Sequence, residues 1–431
     1  MAMWYNWTMN IESSSRFWAG MAIVAALAAK DAGENGWRSV TDALLEGPED
    51  TVVETREIVS AETLAALREK RPRYVTFVML PEEIDCDTIR GIKRMMCSID
   101  DDPFDDAMWG IVTGPTASDA KRVAACKGPK MVTNVLATTG VDKDIVPGPV
   151  TVVSDAYPAG EWWQKRPGMD VERHSTTGDT SHVFAEAWNR DDPDLILTSS
   201  HASERNLEMP FSRGNIVACK EGLAAAANAQ LIDYSTGQAI EGAADQVKLN
   251  PLKAPQREKV WLAAGNCLIA NHKPGYDMIM SALGFGKVNQ FVGYIKTSWY
   301  GEIGWKTWQY FWSYGLSLSE SWYAANLQLT MKLTSSAPKS DHDRMGLMWD
   351  FDGTAFYGNP RKRVTVPESS RKDAYRQGDP PLLVIFPDSK PNRRLVSAPE
   401  GFEVFVGDDF ALVTSWPELA EDWREKLEFS E

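Results

Sequence analysis

Two residues of this chain have the type and placement for covalent chemistry. Cys267 follows a short apolar run, residues 260–264 (VWLAA), and a Gly265-Asn266 pair. His201 follows a similar run, residues 194–198 (DLILT), and Ser199-Ser200. An ordinary thiol, with a pKa near about 8.5, is only a few per cent thiolate at neutral pH, and the thiolate is the nucleophile. An imidazole beside it raises the thiolate fraction and can then protonate the departing amine. Small residues around the cysteine (Ala263, Ala264, Gly265) leave room for a peptide backbone. The N–H groups of Cys267 and Ala202 are candidates for stabilising an oxyanion. Against this stands the structural alternative, in which Cys267 is a packed thiol and His201 a hydrogen-bonded surface residue.

Such a dyad needs elements that bring the two loops together. Both runs have the length and composition of buried strands, and a third, residues 291–295, ends at Ser298-Trp299-Tyr300. Consecutive parallel strands with right-handed crossovers place their ends on one edge of the sheet, so loops distant in sequence become neighbours. The earlier part of the chain alternates helical patterns with strands at 74–80, 109–113, 131–136 and 150–154, which predicts an α/β fold with a covered parallel sheet. Residues 157–181 are polar and aperiodic and read as a long loop, and 305–331 as one aromatic-rich helix. From residue 382 short strands separated by turn residues predict a small antiparallel module, closed by a helix over 417–427.

The segments TSSHASE (198–204), AAGNCLIAN (263–271), TSWYGEIGW (297–305) and FDGTAFYGNP (351–360) resemble the gingipain-like cysteine peptidases, relatives of caspases, legumains and separases. The resemblance covers roughly residues 74–360. It implies a caspase-like α/β/α sandwich of two side-by-side subdomains, followed by a small all-β, immunoglobulin-like module. The corresponding divisions are 1–156, 157–365 and 366–431. It further implies a cysteine endopeptidase with His201 and Cys267 as the dyad. Ser298, Trp299 and Tyr300 would then be substrate-binding, with Ser298 and Trp299 lining the pocket for the residue before the scissile bond. In arginine-specific members a carboxylate upstream of the histidine forms the pocket base. Asp155, at the end of the 150–154 strand, is the candidate here and suits cleavage after basic residues. Two features depart from the family. Ala202 stands where glycine is usual, and an insertion around 209–255 lengthens the His-to-Cys spacing. Both also fit a second reading, a catalytically inactive caspase-like binding or scaffold protein.

Composition removes several other classes. With 45 Lys and Arg against 60 Asp and Glu, a net charge of −15 argues against nucleic acid or an anionic membrane as the main partner. A protein or peptide substrate fits better. Five cysteines without CxxC spacing make neither a disulfide scaffold nor a thiolate metal site. No cofactor is expected, although Asp100, Asp101, Asp102, Asp105 and Asp106 offer oxygen ligands suited to a structural calcium. No apolar run is long enough to span a bilayer. Residues 17–29 (FWAGMAIVAALAA) have the length of a signal-peptide core but poor flanks, so a buried helix and a cytoplasmic location are favoured over export. The oligomeric state is left open.

Overall fold

The structure is a computed structural model. It describes residues 20–26, 36–128, 131–143, 146–227, 229–233, 236–313, 315–334, 340–367, 382–385, 393–407, 410–415 and 425–430. The fold is mixed α/β, built on one large and mostly parallel sheet. Its first block is made of β1 (Met21–Ala26), β2 (Thr51–Thr55), β3 (Tyr74–Val78) and β4 (Met108–Val112), all parallel, in the order β2-β1-β3-β4. Helices α1 (Arg38–Leu44), α2 (Ala61–Lys70) and α3 (Cys86–Met96) lie between these strands in the chain, and α4 (Ala117–Ala125) follows them. Their starts follow ordinary capping chemistry. The Ser60, Asp85 and Thr116 side chains accept the N–H groups of Thr63, Thr88 and Asp119.

The helix expected over 17–29 is not seen in its described part, residues 20–26: Met21–Ala26 is β1, paired in parallel with β2 and β3, and Met21, Ala22, Ile23 and Val24 are buried. A strand covered on both faces reads as a continuous apolar run, and periodicity cannot separate it from a buried helix.

The second block holds β5 (Val135–Ala137), β6 (Val150–Val153), β7 (Glu161–Lys165), β8 (Glu172–Ser175) and β9 (Leu195–Thr198), with α5 (Ser181–Asp191) before β9. The insertion that follows forms separate antiparallel sheets. One contains β10 (Asn206–Glu208), β11 (Asn215–Cys219), β12 (Gly222–Ala226) and β15 (Leu249–Pro251); the other pairs β13 (Ile232–Asp233) with β14 (Gln238–Ala239). The chain then returns as β16 (Lys259–Ala263), α6 (Met278–Leu283), β17 (Val288–Tyr294), α7 (Glu302–Ser313), α8 (Leu318–Thr334), α9 (Asp341–Phe351) and β18 (Thr354–Gly358). Among the described residues the whole sheet runs β2-β1-β3-β4-β18-β17-β16-β9-β5-β6-β7-β8.

Strand direction matters for the site. β17, β16, β9, β5 and β6 are mutually parallel, whereas β18 is antiparallel to β17 and parallel to β4. The C-terminal ends of β6, β5, β9, β16 and β17 therefore share one edge, and those of the first block lie on the opposite edge. The blocks meet at β4 and β18 through a single paired position, Ile111 with Tyr357.

Three further expectations change. Residues 157–181 contain a hairpin, β7 with β8, that extends the sheet antiparallel from β6. Its polar edge strands lack the apolar alternation that would mark them in sequence. The aromatic stretch 305–331 is divided between α7 and α8, with Gly315 at φ 68° between them. The strand expected at 131–136 is confined to β5, with Met131 in an isolated bridge to Thr365.

The acidic stretch at 100–106 does not act as one group. Asp105 is buried and accepts the ammonium of buried Lys93 at 2.5 Å. Its neighbour Phe104 packs against Phe405 and Phe410, with ring centroids 5.2 and 5.0 Å apart. These rings belong to the C-terminal sheets, formed by β19 (Leu382–Ile385), β20 (Leu395–Ser397), β21 (Glu403–Val406), β22 (Phe410–Ser415) and β23 (Glu428–Phe429). They pair antiparallel as β19-β22-β21 and β20-β23. Most of the helix expected over 417–427 lies outside the described residues.

Candidate active site

The site grows from two adjacent, fully buried strands. β9 and β16 pair in parallel with Thr198 opposite Ala263, and the Ala264 N–H continues the ladder to the Thr198 carbonyl (2.8 Å). Beyond the strands the two loops stay in contact. A Cβ built on Gly265 would lie 2.3 Å from Ser199 Oγ, so glycine lets the serine take this rotamer against the cysteine loop. The Asn266 amide then donates to the Ser200 carbonyl (2.9 Å). The next residues along the two loops are His201 and Cys267. The structure thus brings the expected pair to neighbouring loops of one sheet edge.

Cys267 is half-buried. The Ser298 N–H donates to its sulfur at 3.3 Å, and the Ser298 hydroxyl lies 3.9 Å from it, so the loop after β17 seats the thiol. The following residue, Leu268, has φ +61°, an uncommon conformation for a branched side chain that turns the chain sharply past the cysteine. His201 is exposed, and its carbonyl accepts the Glu208 N–H (2.9 Å). Ala202 pairs with Leu207 in an antiparallel bridge flanked by Glu208→His201 and Ser203→Asn206 bonds. Neither bond uses the Ala202 N–H, which is what an oxyanion donor requires.

Trp299 and Tyr300 follow Ser298 and are exposed, at 45% and 40%. Their loop is held from below by Asp350 of α9, a fully buried carboxylate that accepts the N–H groups of Trp299 (3.0 Å) and Glu302 (2.9 Å). Glu302 is the first residue of α7, so the carboxylate also sits at a helix N-terminus, where its charge is favoured. Two residues later α7 touches the end of β16. A Cβ on Gly304 would stand 2.0 Å from the Ala264 carbonyl oxygen. Gly304→Ala is expected to destabilise the protein by about 1–3 kcal/mol through overpacking, read as a lowered thermal midpoint. An unchanged midpoint would contradict the close approach.

Asp155 is exposed, just past β6 on the same edge. Through β5 the registers place it level with Ser200 and Gly265, two strands from β9. At an interstrand spacing of about 4.8 Å that is roughly 10 Å from the histidine loop. Of the acidic stretch, Asp100, Asp102 and Asp106 bring carboxylate oxygens within 4.8 Å of one another, while Asp105 is committed to Lys93.

The buried carboxylate beneath the Trp299-Tyr300 loop carries no sequence signal of its own. Asp350 acts through long-range packing that a linear pattern does not show, and the Asn266 amide through its bond to the histidine loop. A second histidine is also close in sequence: His272 Nδ1 meets Asp277 Oδ2 at 2.6 Å, and buried Asp277 also accepts the Lys273 and Met280 N–H groups. Because those donors occupy the carboxylate, His272 donates to it and is fixed in orientation.

The remaining thiols occupy different surroundings. Burial raises Cys86 and Cys97 above the ordinary thiol range, pushes Cys126 up to about 12, and pushes Cys219 up to about 11. At neutral pH these four are held as unreactive thiols. Iodoacetamide is therefore expected to alkylate Cys267 first, at least about tenfold faster than the others, as read by peptide mass mapping over time. Equal rates at all five cysteines would contradict this assignment of environments.

No family model matches the chain, and no curated protein matches it. Solved structures that match the chain along most of its length include two proteins. One is described as "Structure of Protease", at 12% identity and a TM-score of 0.45, covering 94% of this chain and 92% of the other. The other is a complex of Porphyromonas gingivalis RgpB pro- and mature domains, at 10% identity and a TM-score of 0.45, covering 94% of this chain and 95% of that one.

Proposed function

We propose that this protein is a gingipain-like cysteine endopeptidase, with a caspase-like catalytic layout and an immunoglobulin-like C-terminal module. The observation that supports the activity is the parallel pairing of β9 with β16, whose stitched loops carry His201 and Cys267 on one sheet edge. In this reading His201 takes the Cys267 proton as the sulfur attacks the peptide carbonyl. A C–S bond forms, and the carbonyl oxygen gathers negative charge facing the Cys267 and Ala202 N–H groups. Collapse breaks the C–N bond, and His201 returns the proton to the leaving amine. Water, deprotonated by the same imidazole, then hydrolyses the thioester and restores the thiol.

Ser298 and Trp299 line the pocket for the residue before the scissile bond, Tyr300 is substrate-binding beside them, and Asp155 is the candidate partner for a basic side chain. Exposure of Asp155 on the dyad's edge supports this role, because a carboxylate there can pair with an arriving guanidinium. The test is hydrolysis of a peptide library by the intact chain and by Cys267→Ala. Cleavage confined to the unsubstituted chain, after Arg or Lys, supports the reading. Cleavage by both proteins removes Cys267 from the chemistry, and preference for small or acidic residues removes Asp155.

A further inference from the structure

Helix α9 presents an unusual outer face. Met345, Met348 and Trp349 follow one another at i, i+3 and i+4, so they form one stripe, and they are 54%, 59% and 43% exposed. Large apolar groups normally turn inward on an amphipathic helix, and a contiguous exposed set marks a binding surface. The inward face is instead Gly346, Leu347 and Asp350.

This stripe is continuous with the candidate active site. Trp349 Nε1 donates to the Thr297 carbonyl at 2.6 Å, and the next residue, Ser298, touches the Cys267 sulfur. The Trp299 ring meets His342 edge-on at 5.1 Å, one turn before Met345. Tyr300 lies directly on the helix backbone, where a Cβ on Gly346 would come within 2.4 Å of its ring. Lys296 Nζ covers one face of Trp349 at 4.6 Å. Aromatic rings thus link the cysteine loop to α9, the helix that exposes Met345 and Met348.

We propose that this stripe is a substrate subsite, and that it selects a polypeptide carrying an aliphatic or aromatic side chain near the scissile bond. The inference rests on the peptidase reading for the location of that bond. Methionine is unbranched and polarisable, so such a surface accepts apolar side chains of different shape. The stripe lies beside β17, on the far side of the dyad from Asp155 beyond β6, so the two contacts would grip different substrate residues.

The test uses binding, which is independent of turnover. Full-length Cys267→Ala protein is titrated into short fluorescein-labelled peptides that differ only by Leu, Phe or Ser at successive positions, and anisotropy is recorded. One position should favour Leu or Phe over Ser by about tenfold. Adding Met345→Glu and Met348→Glu should abolish that preference, and Met345→Leu with Met348→Leu should retain it, which separates surface chemistry from misfolding. The proposal is overturned if no position prefers an apolar residue, or if the preference survives both glutamates. It is also overturned if sedimentation shows a dimer that the glutamates dissociate, since the stripe would then belong to a second copy. Peptides that bind through the stripe but are not cut by the unsubstituted chain would sink the peptidase reading and leave the subsite standing.

Discussion

Cys267→Ala should reduce peptide hydrolysis by on the order of 10⁶-fold, the scale seen when a nucleophile acting as part of a catalytic unit is removed. Labelling by a thiol-reactive peptide analogue should vanish with it. His201→Ala should cost nearly as much, because without a base the sulfur attacks as a thiol and the amine departs unprotonated. The double variant should then be little worse than either single one. His272 provides the discriminating control. It lies five residues beyond Cys267 and is already oriented by Asp277, so it is the rival imidazole on chemical grounds. If His272→Ala loses activity on the 10⁶ scale and His201→Ala does not, the base moves to His272 while the nucleophile stays. If neither variant is impaired and Cys267→Ala still cleaves, the cysteine dyad falls as the catalytic unit; if the unsubstituted chain cleaves no peptide at all, a binding or scaffold role gains support. The measurement is initial rate against substrate concentration, with alkylation of the free thiol followed in parallel.

The strands that position this chemistry were legible because each carries its own signal. DLILT and VWLAA are short, mostly apolar and followed by small or polar residues, and they became β9 and β16 side by side. The shared edge followed from parallel topology, but only within one block. The antiparallel pairing of β17 with β18 reverses the first block, and no local pattern in residues 288–294 or 354–358 announces it. Where local signal was ambiguous, tertiary context decided. MAIVAA is as apolar as a buried helix, and its partners β2 and β3 made it a strand. EWWQK and ERHS are too polar to read as strands, yet the first pairs with β6 and the second with the first. Asp350 was invisible for a stricter reason. Its function depends on N–H groups some fifty residues away, which come within reach only after α7 and α9 have packed around the loop.

That dependence makes Asp350 the most informative residue outside the dyad. Three N–H groups, from Trp299, Tyr300 and Glu302, act on its carboxyl, and burial nevertheless raises it above the ordinary aspartate value of 3.8. Asp350→Ala leaves those donors facing a small void. The expected cost is about 2–3 kcal/mol, below the sum for separate buried donors because the variant also escapes the penalty of burying a charge. The raised carboxyl gives this cost a defined pH dependence. The native state holds the Asp350 proton more tightly than the unfolded chain, so its contribution to stability is fully present below 3.8 and lost as pH rises through the folded value. The stability gap between the unsubstituted chain and Asp350→Ala should therefore narrow from acid toward neutral pH. Denaturant titrations across that range will show it, and a gap that widens would reverse the assignment. Catalysis should respond separately. With Trp299 and Tyr300 no longer fixed, a displacement near 1 Å costs about a hundredfold in kcat/KM, expressed mainly as a raised KM. Iodoacetamide, which needs no pocket, should still find Cys267 first, so a loss of peptide turnover with the labelling order intact places the defect in the loop that receives the substrate rather than in the thiol that attacks it.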